Sequence, residues 1–261
     1  MLHLLKIEWL KIKNYRAFWV FSLLYLASIF LINYIGWNIQ QQAFEKAPQA
    51  QQLLGNPYAF PKVWQTVGWM SSWLLYLPGM LVIMLMTNEF NFKTHRQNVI
   101  DGLSRNQFIT VKMMLFFLLA FIITLINFFT GLTFGFITDG SFSTDGMQFL
   151  AYIFLQSIAY IFFALMLAVL FRRSGLAIIV FILFGLIFEW LITATMTFQL
   201  HWTPYSYFLP LQTSDVLIPL PFGKDVIYKD APSAISLVVA ILLYISAYLF
   251  FTRKKFVTDD L

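Results

Sequence analysis

Six times along this chain, about twenty or more residues pass with hardly a charge among them. The segments cover about residues 17–37, 63–87, 109–138, 147–171, 176–200 and 233–252. A hydrocarbon core of about 30 Å takes roughly 20 apolar residues in a helix. Lipid offers the backbone no hydrogen-bond partner, so a span of this kind must be helical. The expected fold is all-α: a polytopic membrane protein with six transmembrane helices. The third segment is long enough to tilt or to extend beyond the bilayer. Only Arg172, Arg173, Ser174 and Gly175 separate the fourth from the fifth, which reads as a tight helical hairpin.

Composition closes the soluble alternatives. The chain is 60% hydrophobic and 11% charged, against about 45–50% and about 25% in soluble chains. A water-soluble fold of this size could not cover so much apolar surface. The same composition excludes disorder, and the absence of cysteine excludes a disulfide scaffold.

The net charge of +5 matters less than its placement. Of the 17 basic residues, Lys6, Lys11, Lys13, Arg16, Lys93, Arg96, Arg105, Lys112, Arg172, Arg173, Arg253, Lys254 and Lys255 fall on one side of the six-span scheme. Lys46, Lys62, Lys224 and Lys229 fall on the other, with Glu45, Asp139, Asp145, Asp215, Asp225 and Asp230. The lysine and arginine bias therefore puts both termini in the cytoplasm. No basic block of the kind that nucleic-acid arms use is present, so no nucleic-acid partner is expected. The first apolar segment is too long for a cleaved signal peptide and lacks a small-x-small site, so it reads as a retained span.

Ahead of that span, Leu2, Leu5, Trp9 and Ile12 recur at helical spacing, while His3, Lys6, Lys13 and Asn14 lie away from them. This pattern fits an amphipathic interfacial helix lying against membrane lipid headgroups. A cytoplasmic extension of the first span is the alternative.

Reactive constellations are missing. His3, His95 and His201 lie in three segments on both sides of the membrane and cannot share a metal. No Gly-x-Ser-x-Gly elbow occurs, and no span holds two carboxylates. Gly223-Lys224 lacks the upstream glycine and following hydroxyl of a phosphate loop. The longest remaining pieces, 38–62 and 201–232, fall short of the roughly 50 residues a soluble domain needs. No enzyme activity is expected in this chain, and any ATP must be bound by another polypeptide.

The loop between the second and third spans is the most informative stretch. It offers a compact helix over Thr94–Asp101, ended by Gly102. Ser104 and Gln107 then have capping-box spacing for the start of the third span. A short polar helix held across the mouth of a bundle reads as a docking element.

Glu89-Phe90, Thr94-His95-Arg96-Gln97, Ser104-Arg105 and Lys112, with the opening Leu4–Lys13 run, resemble the type-2 ATP-binding-cassette (ABC-2) permeases. The resemblance extends to chain length, span count and orientation. It implies a permease subunit of an ATP-driven exporter in the cell inner (cytoplasmic) membrane. It further implies a second permease copy or a related permease, and a cytoplasmic ABC ATPase subunit that carries ATP and Mg, with no cofactor in this chain. By the same resemblance, the short helix is the coupling helix. Arg96, Gln97 and Asp101 are its docking groups, and Glu89, Arg105 and Lys112 brace it against the first helix and the spans. The plainer reading is a solvated loop with positive-inside charges. Two rivals remain: a scaffold that only recruits a soluble partner, and an ion-coupled carrier, for which a repeat between halves is the usual sign.

Glu189 is the only ionisable residue deep in a span, where an unpaired charge costs several kcal/mol. It reads either as a group lining the translocation path or hinging two subunits, or as a structural hydrogen bond to Asn127 or Gln156. Pro78-Gly79 is expected to kink or loosen the second span. Trp64, Trp69 and Trp73 read as lipid-facing or interfacial aromatics. The proline-broken segment 202–210, with Pro219 and Pro221, fits an outer loop that dips into the bundle, covers its mouth or lies at the interface.

Overall fold

The computed structural model describes residues 2–47, 49, 55–221 and 231–258. Its elements are α1 (Leu2–Lys13), α2 (Arg16–Lys46), α3 (Val63–Ser72), α4 (Tyr76–Asn91), α5 (Thr94–Ile100), α6 (Arg105–Thr138) and α7 (Gln148–Phe171). After these come α8 (Ser174–Leu183), a π-helical turn (Phe184–Phe188), α9 (Glu189–Phe198), α10 (Thr203–Ser206), α11 (Gln212–Val216) and α12 (Ala234–Thr258). The described residues contain no strand. Among the described residues, five helices are long and apolar enough to cross a membrane, and six spans result if α3 and α4 form one bent span.

The bundle is built around α7. Ten consecutive residues, Gln156 through Leu165, are buried, so neighbours enclose this helix on every side. Such a helix needs no amphipathic stripe, and its sequence is apolar all round. α4, α6 and α12 pack directly against it.

Polar contacts show which helix ends meet. At one end Arg105 donates to the Val257 carbonyl at 2.9 Å, and Arg253 donates to Asn106 at 3.0 Å. Phe108 stacks on Phe256 there, with ring centroids 5.2 Å apart. At the other end Trp37 donates to Thr138 at 3.1 Å, and Gln40 donates to Asn56 at 2.5 Å. Residues 2–16 and 253–258 thus share one end of the bundle.

Four details differ from the sequence reading. α2 runs on to Lys46 rather than ending near 37, because Gln40 turns inward and finds Asn56. The second span bends, as Pro78-Gly79 implied, but the break falls a turn earlier, at 73–75, where α3 and α4 are bent by 47°. Ser71 and Ser72 both donate to the Gly68 carbonyl, competing with the helix ladder at the break. Pro78 then sits in the first turn of α4, where its missing N–H costs nothing. Trp64 is core rather than lipid-facing. It is buried with Tyr58, Phe60, Val63, Val67 and Phe134, and it stacks on Phe128. In α1, Glu8 and Ile12 are buried while Trp9 stays on the outer surface against Phe18, so the inward face is rotated from the expected stripe. The side chain of Leu2 and residues Gly223, Lys224, Asp225, Lys229 and Asp230 lie outside the described residues.

Small residues let the helices close up. A methyl group on Gly79 would run into the Phe181 ring, which is itself buried among Tyr76, Tyr160 and Phe163. Gly79→Ala is therefore expected to cost about 1–3 kcal/mol, as overpacking does. Gly175→Ala, which meets open space, serves as the control. Thermal unfolding of the detergent-purified protein checks the pair. Equal midpoints for the two variants would show that α4 and α8 are not closely packed.

Candidate functional site

α5 is only seven residues long, so its position depends on its ends. Lys93 takes a left-handed conformation (φ 54°) and turns the chain sharply out of α4. Thr94 donates to the Glu89 carboxylate, and Nδ1 of buried His95 lies 2.7 Å from the Glu89 carbonyl. The His95 ring also rests on Phe90 at 5.1 Å.

At the far end of α5, Leu103 N–H donates to the Asn98 carbonyl and Gly102 N–H to that of Val99. With φ of 102° at Gly102, this is a Schellman closure. Two residues later the Ser104–Gln107 capping box opens α6. Both ends of α5 are thereby fixed, one to α4 and the other to α6.

Beneath α5 lies a buried ionic cluster. Lys112 pairs with Glu8 and, at 2.5 Å, with Glu89. Lys11 joins from its partly exposed position, 2.7 Å from Glu8 and 3.8 Å from Glu89. Two carboxylates thus face two ammonium groups, and α1, α4 and α6 meet through them. The Lys112 ammonium also lies over the Phe108 ring at 5.4 Å. Arg105 stands apart from this cluster, on the Val257 carbonyl of α12.

Arg96, Gln97 and Asp101 face outward from α5 and its cap. Phe92 and Ile100, which the sequence reading passed over, are 75% and 83% exposed beside them. No local signal separated them from Phe90, Val99 and Leu103 in the same loop, which are less exposed. Glu8 was missed as well, although a lysine three residues inside an apolar run calls for a buried acid.

The family model described as "ABC-2 family transporter protein" matches residues 4–189, which takes in α1 from Leu4 onward, the ionic cluster and all of α5. The chain belongs to this family. No curated protein matches it. This ABC-2 family member is a multi-pass membrane protein and a permease component of a transporter.

Deeper in the ABC-2 permease, Glu189 is 1% exposed at the start of α9, directly after the π-helical turn. Its partners are not the expected ones. Its carboxylate accepts the backbone N–H of Leu211 at 2.8 Å and of Gln212 at 3.0 Å. It thus holds the N-terminal end of α11. Asn127 instead donates to Tyr25, and Gln156 donates to Asp215 at 2.8 Å.

Asp215 is the larger surprise. Read from the sequence as a far-side loop charge, it lies against the middle of α7, where Tyr160 also donates to it at 3.0 Å. Further contacts seat the same segment among the helices. Tyr244 donates to the Phe208 carbonyl at 2.7 Å, and Gln65 donates to that of Pro219 at 2.8 Å. The proline-broken stretch therefore folds into the bundle. Among the described residues, no group of three or more histidine, aspartate or glutamate side chains could hold a metal ion.

Proposed function

We propose that this permease is the membrane subunit of an ATP-driven exporter, and that a separate cytoplasmic ABC ATPase docks on α5. In this reading the shared end of residues 2–16 and 253–258 faces the cytoplasm of a cell whose inner membrane holds the protein. α1 lies along the headgroups. A second permease, identical or related, completes the assembly, and ATP and Mg are bound by the partner.

One observation carries the proposal. α5 is clamped at both ends, yet Arg96, Gln97 and Ile100 on it, with Phe92 just before it and Asp101 at its cap, all face outward and are exposed. Apolar anchors rimmed by charges suit a protein groove, where a few such residues supply most of the affinity. Glu89 and Lys112 join the base of α5 to α1 and α6, so a push on α5 reaches the bundle through packed contacts and buried charge. Motion follows because the ATPase binds differently to the two arrangements. The secondary-carrier alternative loses ground here, since both oxygens of Glu189 are already engaged by backbone N–H groups.

The test is purification of the tagged permease from its native membrane, reading how much ABC ATPase stays with it. Ile100→Asp combined with Arg96→Glu is expected to weaken retention at least tenfold, about 1.4 kcal/mol. Both positions are exposed, so folding should be unchanged. Full retention by the folded variant would remove α5 as the docking site. Flux through sealed vesicles lacking nucleotide would overturn the ATP-driven reading itself.

A further inference from the structure

The infolded segment closes one side of a cavity of about 400 Å³ between α3, α4, α7, α9 and α11. This is within the size range of small-molecule sites. Its walls are unusually aromatic: Trp69, Trp73, Tyr76, Tyr160 and Trp190 all line it. From the sequence alone, Trp69 and Trp73 read as lipid-facing or interfacial. The rings stand edge to face around the space, with Trp69 and Trp73 centroids 6.3 Å apart and Tyr76 and Tyr160 centroids 5.4 Å apart.

Asp215 brings a carboxylate into the same wall. It receives hydrogen bonds from Gln156 and Tyr160, and none of the described lining residues is basic. Asp215 is partly buried, and a carboxylate so far withdrawn from water without a cation beside it is costly. The two neutral donors tie α11 to α7, while Glu189 holds its backbone from α9, and neither contact supplies Asp215 with a positive charge.

Aromatic faces carry negative potential, and they attract cations most strongly where water is scarce. Anions are repelled by both features of this wall. A neutral guest gains apolar contact but leaves the carboxylate as it was.

We propose that this cavity is a binding site for an organic cation, a quaternary or protonated amine carried on a compact apolar body. The ammonium group sits beside Asp215 and over the indoles, and the apolar body fills the remaining space. Trp73 and Trp190 are 59% and 67% exposed and form the rim through which the guest enters. The inference stands apart from ATP coupling, because binding requires neither ATPase nor nucleotide.

The probe is radiolabelled phenyltrimethylammonium, with purified permease in nanodiscs of zwitterionic lipid and no ATPase present. Saturable binding is expected. Unlabelled probe should compete, while its uncharged carbon isostere tert-butylbenzene and the anion benzenesulfonate should not. Asp215→Asn is expected to weaken affinity at least about tenfold, since it removes one member of a desolvated charge pair. Trp190→Leu is expected to weaken it about threefold or more, and Trp190→Phe less, in keeping with the ranking of rings as cation hosts. Trp190 is largely exposed, so its variants decide the matter even if Asp215→Asn fails to fold. Absence of saturable binding, equal competition by tert-butylbenzene, or unchanged affinity in folded Trp190→Leu each overturns the proposal.

Discussion

Replacing Lys112 with methionine should destabilise the permease by about 3–5 kcal/mol, because a buried pair broken on one side leaves an uncompensated charge. The native lysine stands between Glu8 and Glu89, and all three are buried. Methionine preserves much of the volume but strands two carboxylates in an interior that cannot solvate them. Lys11 relieves part of this, since it already reaches Glu8 at 2.7 Å. It is partly exposed and its contribution is screened, so it should not rescue the fold.

The same cluster predicts a reversal. The triple variant Glu8→Gln, Glu89→Gln and Lys112→Met removes every buried charge together, and it should recover most of the loss. Denaturant titration of the detergent-purified protein measures both changes, and trypsin cleavage between α1 and α2 reports whether α1 has come away. A Lys112→Met permease within 1 kcal/mol of the parent would show that these charges remain hydrated. It would also show that the joint between α1, α4 and α6 is held by packing alone.

What the sequence made legible was local. The Schellman glycine at Gly102 and the Ser104–Gln107 box act within a single turn, so α5 and the start of α6 could be read directly. The long apolar segments became helices because lipid leaves the backbone no other choice. Long-range pairings were hidden. Glu8 shares a twelve-residue helix with a plausible apolar stripe at Leu5, Trp9 and Ile12, and only the distant Lys112 draws it inward. Trp64 and Trp73 occur in the same kind of sequence, yet one is core and the other is on the surface. The difference comes from Phe128 and Phe134, more than sixty residues away. Asp215 was opaque for the same reason, as nothing adjacent to it announces Gln156 or Tyr160. The bend in the second span, by contrast, was legible locally: Pro78 has no N–H to offer the Leu74 carbonyl, and the helix breaks in the turn before it.

The other large effect is expected at Glu189. Its two oxygens accept two successive backbone N–H groups, those of Leu211 and Gln212. Alanine leaves both donors buried without partners, at roughly 1–3 kcal/mol each. Glutamine can accept one N–H with its carbonyl oxygen, but it sets its own NH₂ against the other, so its effect should be intermediate. Because α11 is only five residues long and is held through its first turn, the loss should appear as local opening before global unfolding. The chain contains no cysteine, so one placed at buried Ser214 is a clean reporter. Maleimide labelling there should rise at least about tenfold in Glu189→Ala, which corresponds to some 1.4 kcal/mol of easier opening. Glu189→Gln should fall between alanine and the parent. Equal labelling in all three would mean that the infolded segment is secured elsewhere, through Asp215, Phe208 and Pro219. Glu189 would then be free to serve as a charge on the translocation path, whereas graded labelling makes it the anchor of the segment that walls the aromatic cavity.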